Sequence, residues 1–230
     1  MRRKATVLPD ARWLSAVKPT LVALGLACAA AASTGQVAEA SKGAWTFQAL
    51  LDGSPIGQHS FSLTTSGGQQ EMTIGASFDV KLLGITVYRY RHRNVERWDG
   101  GCLSSLNSET DDDGSKLSVE ARKEAGGLLV TAKPPALTLP GCVMSFAYWN
   151  PAMLRQTQLL NSQTGRYEKV RIEALGNETI EAQGRSITAA RYRINGTEQP
   201  IDLWYTPAGD WVGLASTVSG GKRKLTYRRI

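Results

Sequence analysis

The chain has 230 residues, with 27 Lys+Arg against 20 Asp+Glu, and is 42% hydrophobic and 20% charged. That length gives one domain or two small ones, and that composition excludes a disordered acidic tail and a collagen-like rod. The 23 glycines and nine prolines are too few for a low-complexity linker protein, and the long apolar stretch lies at the N-terminus, which excludes a polytopic membrane protein.

In chain order, Arg2, Arg3, Lys4, Arg12 and Lys18 precede an apolar run from Leu21 to Ala32, too short to cross a bilayer, and Ala38-Glu39-Ala40 follows. Basic region, apolar core and A-x-A site predict a secretory signal peptide over residues 1–40, cleaved after Ala40, and a periplasmic or secreted mature chain without a membrane span. Gly25-Leu26-Ala27-Cys28 resembles a lipoprotein box and makes lipidation at Cys28 the alternative, although a large aliphatic is usual where Gly25 stands. Removing residues 1–40 leaves 22 basic and 18 acidic groups, and five of the basic ones (Lys222, Arg223, Lys224, Arg228, Arg229) crowd the last nine residues. The rest is near neutral, so the high sequence pI is no nucleic-acid signature, and nucleic acid is not expected as a partner.

From Trp45 onward the period is two. Trp45–Leu51 reads as a strand ended by Asp52-Gly53; Gln58–Thr65 alternates around Phe61 and Leu63 and ends in Ser66-Gly67-Gly68. Met72, Ile74, Ala76, Phe78 and Val80 form an apolar face of alternate residues; Leu83-Gly84 breaks the pattern, and Ile85–Trp98 is a long strand ended by Asp99-Gly100-Gly101. Turn signals recur at Asp113-Gly114, Gly126-Gly127, Asn195-Gly196, Thr206-Pro207-Ala208-Gly209 and Gly220-Gly221, which indicates hairpin-connected antiparallel structure over residues 41–230 as a single domain. One helix is predicted near residues 150–161. Asn150 caps it, Pro151 takes its first position, and Met153, Thr157 and Leu160 share a face. Cys102 and Cys142 are an even pair in an oxidising compartment and are expected to form a disulfide, two free buried thiols being the alternative. No C-x-x-C motif is present.

Three segments carry candidate chemistry. Glu109-x-Asp111-x-Asp113-Gly114 with Glu120 has the spacing of an EF-hand loop, but Glu109 replaces Asp, Lys116 replaces an aliphatic, and the flanks read as strands. It is read as a polar hairpin turn, and no metal site or cofactor is expected. In the strand Tyr88–Trp98, alternation puts Arg89, Arg91, Arg93 and Arg97 on one face and Tyr88, Tyr90, His92, Glu96 and Trp98 on the other. The arginine face is a solvated exterior or, with Arg89, Arg91 and Arg93 as its anion-contacting residues, a surface for lipid headgroups or an anionic envelope polymer. The opposite face is an aromatic wall with a few polar groups. Tyr88, Tyr90, His92 and Trp98, extended by Trp204, make either a ligand cavity or ordinary core. Catalytic residues are not expected: His59 and His92 are the only histidines, and no H-x-x-x-H, G-x-S-x-G or S-x-x-K pattern occurs.

Trp45-x-Phe47, Asp52-Gly53-x-Pro55-Ile56-Gly57, the Tyr88–Trp98 strand, Glu109–Gly114, Tyr148-Trp149-Asn150-Pro151, Leu159-Leu160-Asn161-x-x-Thr164-Gly165 and Asp202-Leu203-Trp204-Tyr205 occur in one order. Together they resemble an exported bacterial family, domain of unknown function 6134, over nearly all of the mature chain. The resemblance implies a Gram-negative periplasmic protein and brings no established activity. A looser likeness to other exported families suggests a curved sheet like that of lipoprotein carriers. The expected fold is therefore all-β with one short helix: a large curved antiparallel sheet, half-barrel or open barrel. The expected function is non-catalytic binding of an apolar or amphipathic envelope molecule, such as a lipid, in the concave face. An envelope structural or interaction protein using its arginine face is the alternative, and a hydrolase comes third.

Overall fold

The computed structural model describes residues 41–132 and 135–230; the expected signal peptide, its cleavage site and Cys28 lie outside the described residues. The first run of strands is β1 (Ser41–Leu51), β2 (Ser54–Ser66), β3 (Gln69–Leu82), β4 (Ile85–Asp99), β5 (Cys102–Asp112), β6 (Ser115–Glu124), β7 (Gly127–Thr131) and β8 (Leu137–Leu139). A short pair follows, β9 (Gln158–Leu160) with β10 (Tyr167–Lys169). The second run is β11 (Arg171–Ala182), β12 (Arg185–Asn195), β13 (Ile201–Tyr205), β14 (Trp211–Val218) and β15 (Arg223–Arg229). Thirteen strands form one antiparallel sheet in the order β11-β12-β13-β14-β15-β1-β2-β3-β4-β5-β6-β7-β8, with no pairing between β11 and β8 to close it. The fold is the all-β, open, curved sheet that the alternation predicted.

The alternation also decides which face is buried. On β3, Met72, Ile74, Ala76 and Phe78 are buried, and on β4 so are His92, Asn94, Glu96 and Trp98; the residues between them are exposed or half-buried. One cluster joins Phe47 on β1, Phe61 on β2, Leu106 on β5, Val130 on β7, Ile194 on β12 and Trp211 on β14. Only a strongly curved sheet brings such separated strands to one core. Residues 143–160 fill its inside, with Met144, Trp149, Met153, Leu159 and Leu160 buried in the same cluster. A fully buried side chain of this size stabilises by ~1.5–3 kcal/mol, so this segment is as much a part of the core as the sheet.

The segment differs from the expected helix. Asn150 does cap it, accepting from the Ala152 N–H at 3.0 Å, but only one 3-10 turn forms, Pro151–Arg155. Gln156 is already extended, at φ −85 and ψ 150. Thr157, placed on the apolar helical face by sequence, is exposed. Backbone partners outside the segment win: the Val170 N–H donates to the Thr157 carbonyl at 2.9 Å, and the Leu160 N–H to the Met144 carbonyl at 2.8 Å. Residues 158–160 thus become β9.

The entrance to the segment is tied down covalently. Cys102 and Cys142 form a disulfide across a 40-residue separation, and next to it the Leu103 N–H donates to the Val143 carbonyl at 2.9 Å. The arginine face points outward as predicted. Arg89 and Arg91 both pair with Asp79, and Arg97 pairs with Glu71, across the β3–β4 ladder. Pairs as exposed as these contribute ~0–1 kcal/mol each.

Six two-residue hairpin turns have both φ angles positive: Gly67-Gly68, Gly100-Gly101 and Gln183-Gly184, and, at 50 and 84, 52 and 83, and 50 and 90, Asp52-Gly53, Leu83-Gly84 and Asp113-Gly114. Such two-residue turns match the sheet twist, and Asp or Asn tolerates the first position far better than an aliphatic. Leu83→Asn is therefore expected to stabilise by about 1 kcal/mol, measured by urea unfolding. Replacing Cys102 and Cys142 by Ala should cost up to about 4 kcal/mol in the same assay, the chain-entropy value for a loop of this length. A reductant should bring the native chain to the same point.

Candidate functional site

β4 organises the site because its inner residues pass from solvent into the core in order. Tyr88 is exposed, Tyr90 is half-buried, and His92, Asn94, Glu96 and Trp98 are buried. Tyr90 and His92 meet as expected. Tyr90 stacks on Phe78 at 5.4 Å, and its ring centroid lies 6.3 Å from that of His92. Tyr88 stays at the rim, its hydroxyl donating to Asp112 at 2.5 Å.

The two tryptophans expected in this wall do not line it. Trp98 is core, edge-on to Trp149 at 5.6 Å, with its indole N–H donating to Glu96 at 3.2 Å. Trp204 is on the opposite face of the sheet, against Ala182, Ala189 and Val212. Its indole N–H donates to Glu178 at 3.1 Å and its ring lies 5.4 Å from the Arg191 guanidinium. The physical reason is alternation itself: on β13 Leu203 and Tyr205 point inward, so Trp204 between them points out. It joins a closed network there, in which Arg191 bonds Glu178 and Asp202 while Arg193 bonds Asp202 through both nitrogens.

The inner row contains groups that sequence reading left out. Phe47, His59, Ala76, His92 and Thr110 are register neighbours across β1 to β5. His59 Nδ1 lies 3.2 Å from the Tyr227 hydroxyl, and His92 Nδ1 lies 2.9 Å from that of Thr110. One row deeper, the Asn94 side-chain amide donates to Glu96 at 2.9 Å. Buried His59 Nε2, Asn94 Oδ1 and Ser108 Oγ have no hydrogen-bond partner among the described residues. His59 and Asn94 were legible from parity with Phe61 and His92. Tyr227 was masked by the basic residues around it.

Small residues form the floor beside these rings. Ala49 and Ala76 are buried with Phe78, with Tyr90 and Tyr227 packed half-buried against them. Gly57 has φ 149, and a Cβ there would lie 1.9 Å from the Ser77 carbonyl oxygen. Below this patch residues 143–160 take up the inner volume, so the expected hollow is largely filled by the chain itself. A shallow cavity of about 400 Å³ opens at the rim, between Leu51, Pro55, Ile56 and Val80, with Lys81 and Arg223 at its edge. A second, of about 300 Å³, involves Val95, Arg97 and Arg122. Neither is lined by Tyr90, His92 or Trp98.

The chemistry offered is that of neutral donors and acceptors among rings. Burial, reinforced by the neighbouring His92, lowers His59 from 6.5 to about 3, and burial lowers His92 to about 4. Burial raises Tyr90 and Tyr227. It also raises Glu96, against the pull of the Asn94 and Trp98 hydrogen bonds. Arg89 and Arg91, expected to contact anions, are exposed to different degrees but share Asp79, while Arg93 stands opposite Glu109 in the register. The EF-hand-like segment is the β5–β6 hairpin, where Asp111 accepts from the Gly114 N–H at 2.8 Å and Asp113 from the Arg89 N–H at 3.2 Å. Among the described residues no group of three or more His, Cys, Asp or Glu is placed to hold a metal ion.

Both histidines are held neutral when folded but charge near pH 6.5 when unfolded. The stability they allow is present above that pH and is lost as pH falls through it toward 4. The slope should approach about 1.4 kcal/mol per pH unit for each ring. Glu96 acts in the opposite sense, its contribution being full below the ordinary carboxylate range and lost as pH rises through its folded pKa. Urea unfolding across pH 7 to 5 should show an acid slope smaller by up to about 1.4 kcal/mol per pH unit in His92→Gln, and an unchanged slope would contradict its burial as a neutral ring.

A family model described as Domain of unknown function (DUF6134) matches residues 47–229. No curated protein matches the chain. Among solved structures, the chain is similar to a beta-barrel-like protein of Domain of Unknown Function DUF1849 from Brucella abortus. The identity is 12% and the TM-score 0.59, over 81% of this chain and 94% of that one. At that identity the likeness is one of fold.

Proposed function

The chain belongs to the DUF6134 family, which brings a fold without a reaction, and from its inner face we propose that it is a non-catalytic binding protein of the bacterial envelope. It is exported to the periplasm and holds an amphipathic molecule at the open end of the inner face. The observation that carries this reading is the make-up of the inner face beside residues 143–160. There Phe78, Tyr90, Tyr227, His59 and His92 surround small Ala49 and Ala76 instead of forming a dry aliphatic layer. Flat rings with polar tips suit a ligand that is apolar along its length and hydrogen-bonding at one end. The rim cavity, apolar at Leu51, Ile56 and Val80 and basic at Lys81 and Arg223, continues the surface outward. A charged ligand head has a place at this rim, and the neutral imidazoles receive uncharged groups deeper in.

The reading assigns no base or nucleophile. His92 and Thr110 are within hydrogen-bond distance, but the ring is buried and stays neutral well below physiological pH. Among the described residues, no hydrogen bond from a carboxylate orients either histidine.

Native mass spectrometry of protein purified from the periplasm without detergent, followed by organic extraction, tests the proposal. A reproducible extra mass that is lost on denaturation is expected, and Ala76→Phe, which fills the floor, should reduce its occupancy several-fold. A clean apo mass from folded, disulfide-bonded protein would sink the reading.

A further inference from the structure

Nine large hydrophobic side chains are exposed among the described residues, and five of them gather toward the tip of the β3–β4 hairpin: Leu82, Leu83, Ile85, Val87 and Tyr88. The first four are 65, 95, 69 and 52% exposed. This is also where the sheet has no neighbours. β2 last pairs with β3 at Gly57–Phe78, and β5 last pairs with β4 at Tyr90–Asp112, with one more bond from the Asp113 N–H to the Arg89 carbonyl. Beyond these points β3 and β4 pair only with each other, as a ribbon that carries the Leu83-Gly84 turn away from the domain. A two-stranded ribbon gains little stability on its own in water, and soluble surfaces rarely gather large aliphatics at one tip.

We propose that this hairpin tip is a docking element for an anionic lipid bilayer surface. The other two-residue turns with both φ positive hold Asp, Gly or Gln at the strained first position, but here it is Leu83, at φ 52 and almost wholly exposed. Between Leu82 and Val87 the tip is mostly aliphatic, with no Trp, Tyr or Arg, the side chains that dominate protein–protein hot spots. Acyl chains accept Leu, Ile and Val without a shaped pocket. Behind the wedge stand cations. Lys81 is exposed without an ion-pair partner among the described residues. Lys222 and Lys224 lie at the β14–β15 turn, which antiparallel pairing puts at the same end of the sheet, and Arg223 between them pairs with Asp52. Asp111–Asp113 turn at the level of Arg89, six residues behind Leu83, or roughly 20 Å of strand. At physiological salt that is more than a screening length from the tip. Insertion is necessarily shallow, because the ribbon's unpaired backbone edges do not enter hydrocarbon. Leu82, Leu83 and Ile85 reach the acyl boundary while Lys81 stays among the headgroups.

This inference does not depend on an inner-face ligand. The test is co-sedimentation of the protein with vesicles of phosphatidylcholine plus phosphatidylglycerol and with vesicles of phosphatidylcholine alone. Binding to the anionic vesicles is expected, weaker on the neutral ones and reduced by salt. A Leu83→Asn, Ile85→Thr variant should lose roughly tenfold in partitioning, as expected for withdrawing two aliphatic side chains. Both positions are exposed, so its circular dichroism and unfolding midpoint report independently that the fold is intact. Lys81→Glu should weaken binding to the anionic vesicles alone. Absence of vesicle binding, or equal binding by the double variant, overturns the proposal. So does a native chain that self-associates without binding lipid while the variant is monomeric, which would make a second copy the occupant of the tip.

Discussion

The packing of residues 143–160 against the inner face of the sheet is the contact on which the rest of the structure depends. An open antiparallel sheet with one apolar face has to bury that face, and the second sheet among the described residues, β9–β10, has only two short strands. Trp149, Met153, Leu159 and Leu160 supply the missing layer. Their position is set at both ends: the Cys102–Cys142 disulfide and the Leu103–Val143 hydrogen bond fix the entrance, and the β9–β10 pair fixes the exit. The sheet and its filling therefore specify each other.

The chemistry of β4 is unusual. A strand whose buried residues run His92, Asn94, Glu96, Trp98 is expensive in a dry core, because each polar group needs a partner or loses its hydration uncompensated. Glu96 finds two donors, Asn94 and Trp98, and His92 finds Thr110. Asn94 Oδ1 and Ser108 Oγ find none among the described residues. The row is thus a set of buried polar groups that is only partly satisfied.

How much of this was legible in the sequence depends on the range of the interactions involved. The strands and turns from Trp45 to Trp98 follow from period two and from Asp-Gly or Gly-Gly pairs, both local signals, and the inward face of β4 follows with them. Trp204 shows the limit of reading by proximity: beside Tyr205 in sequence, it belongs to the other face, and the bulge between Trp204 and Tyr205 further shifts its register with β14. Residues 150–161 show a different limit. Met153 and Leu160 suit a helical face, but carbonyl and amide partners on Met144 and Val170 were invisible locally and turned residues 158–160 into strand. The meeting of His59 with Tyr227, 168 residues apart, required the order of the whole sheet.

That order places β15 beside β1, in the middle of the sheet, while its edges are β11 and β8 from the interior of the sequence. In most domains the last few residues are dispensable, because they lie at a margin. Here Phe47 faces Arg229 and Gly213 faces Arg228, so the last strand is the seam holding two halves together. A protease that trims a handful of residues from this end removes a central strand instead of an edge. What remains is two half-sheets with raw hydrogen-bonding margins.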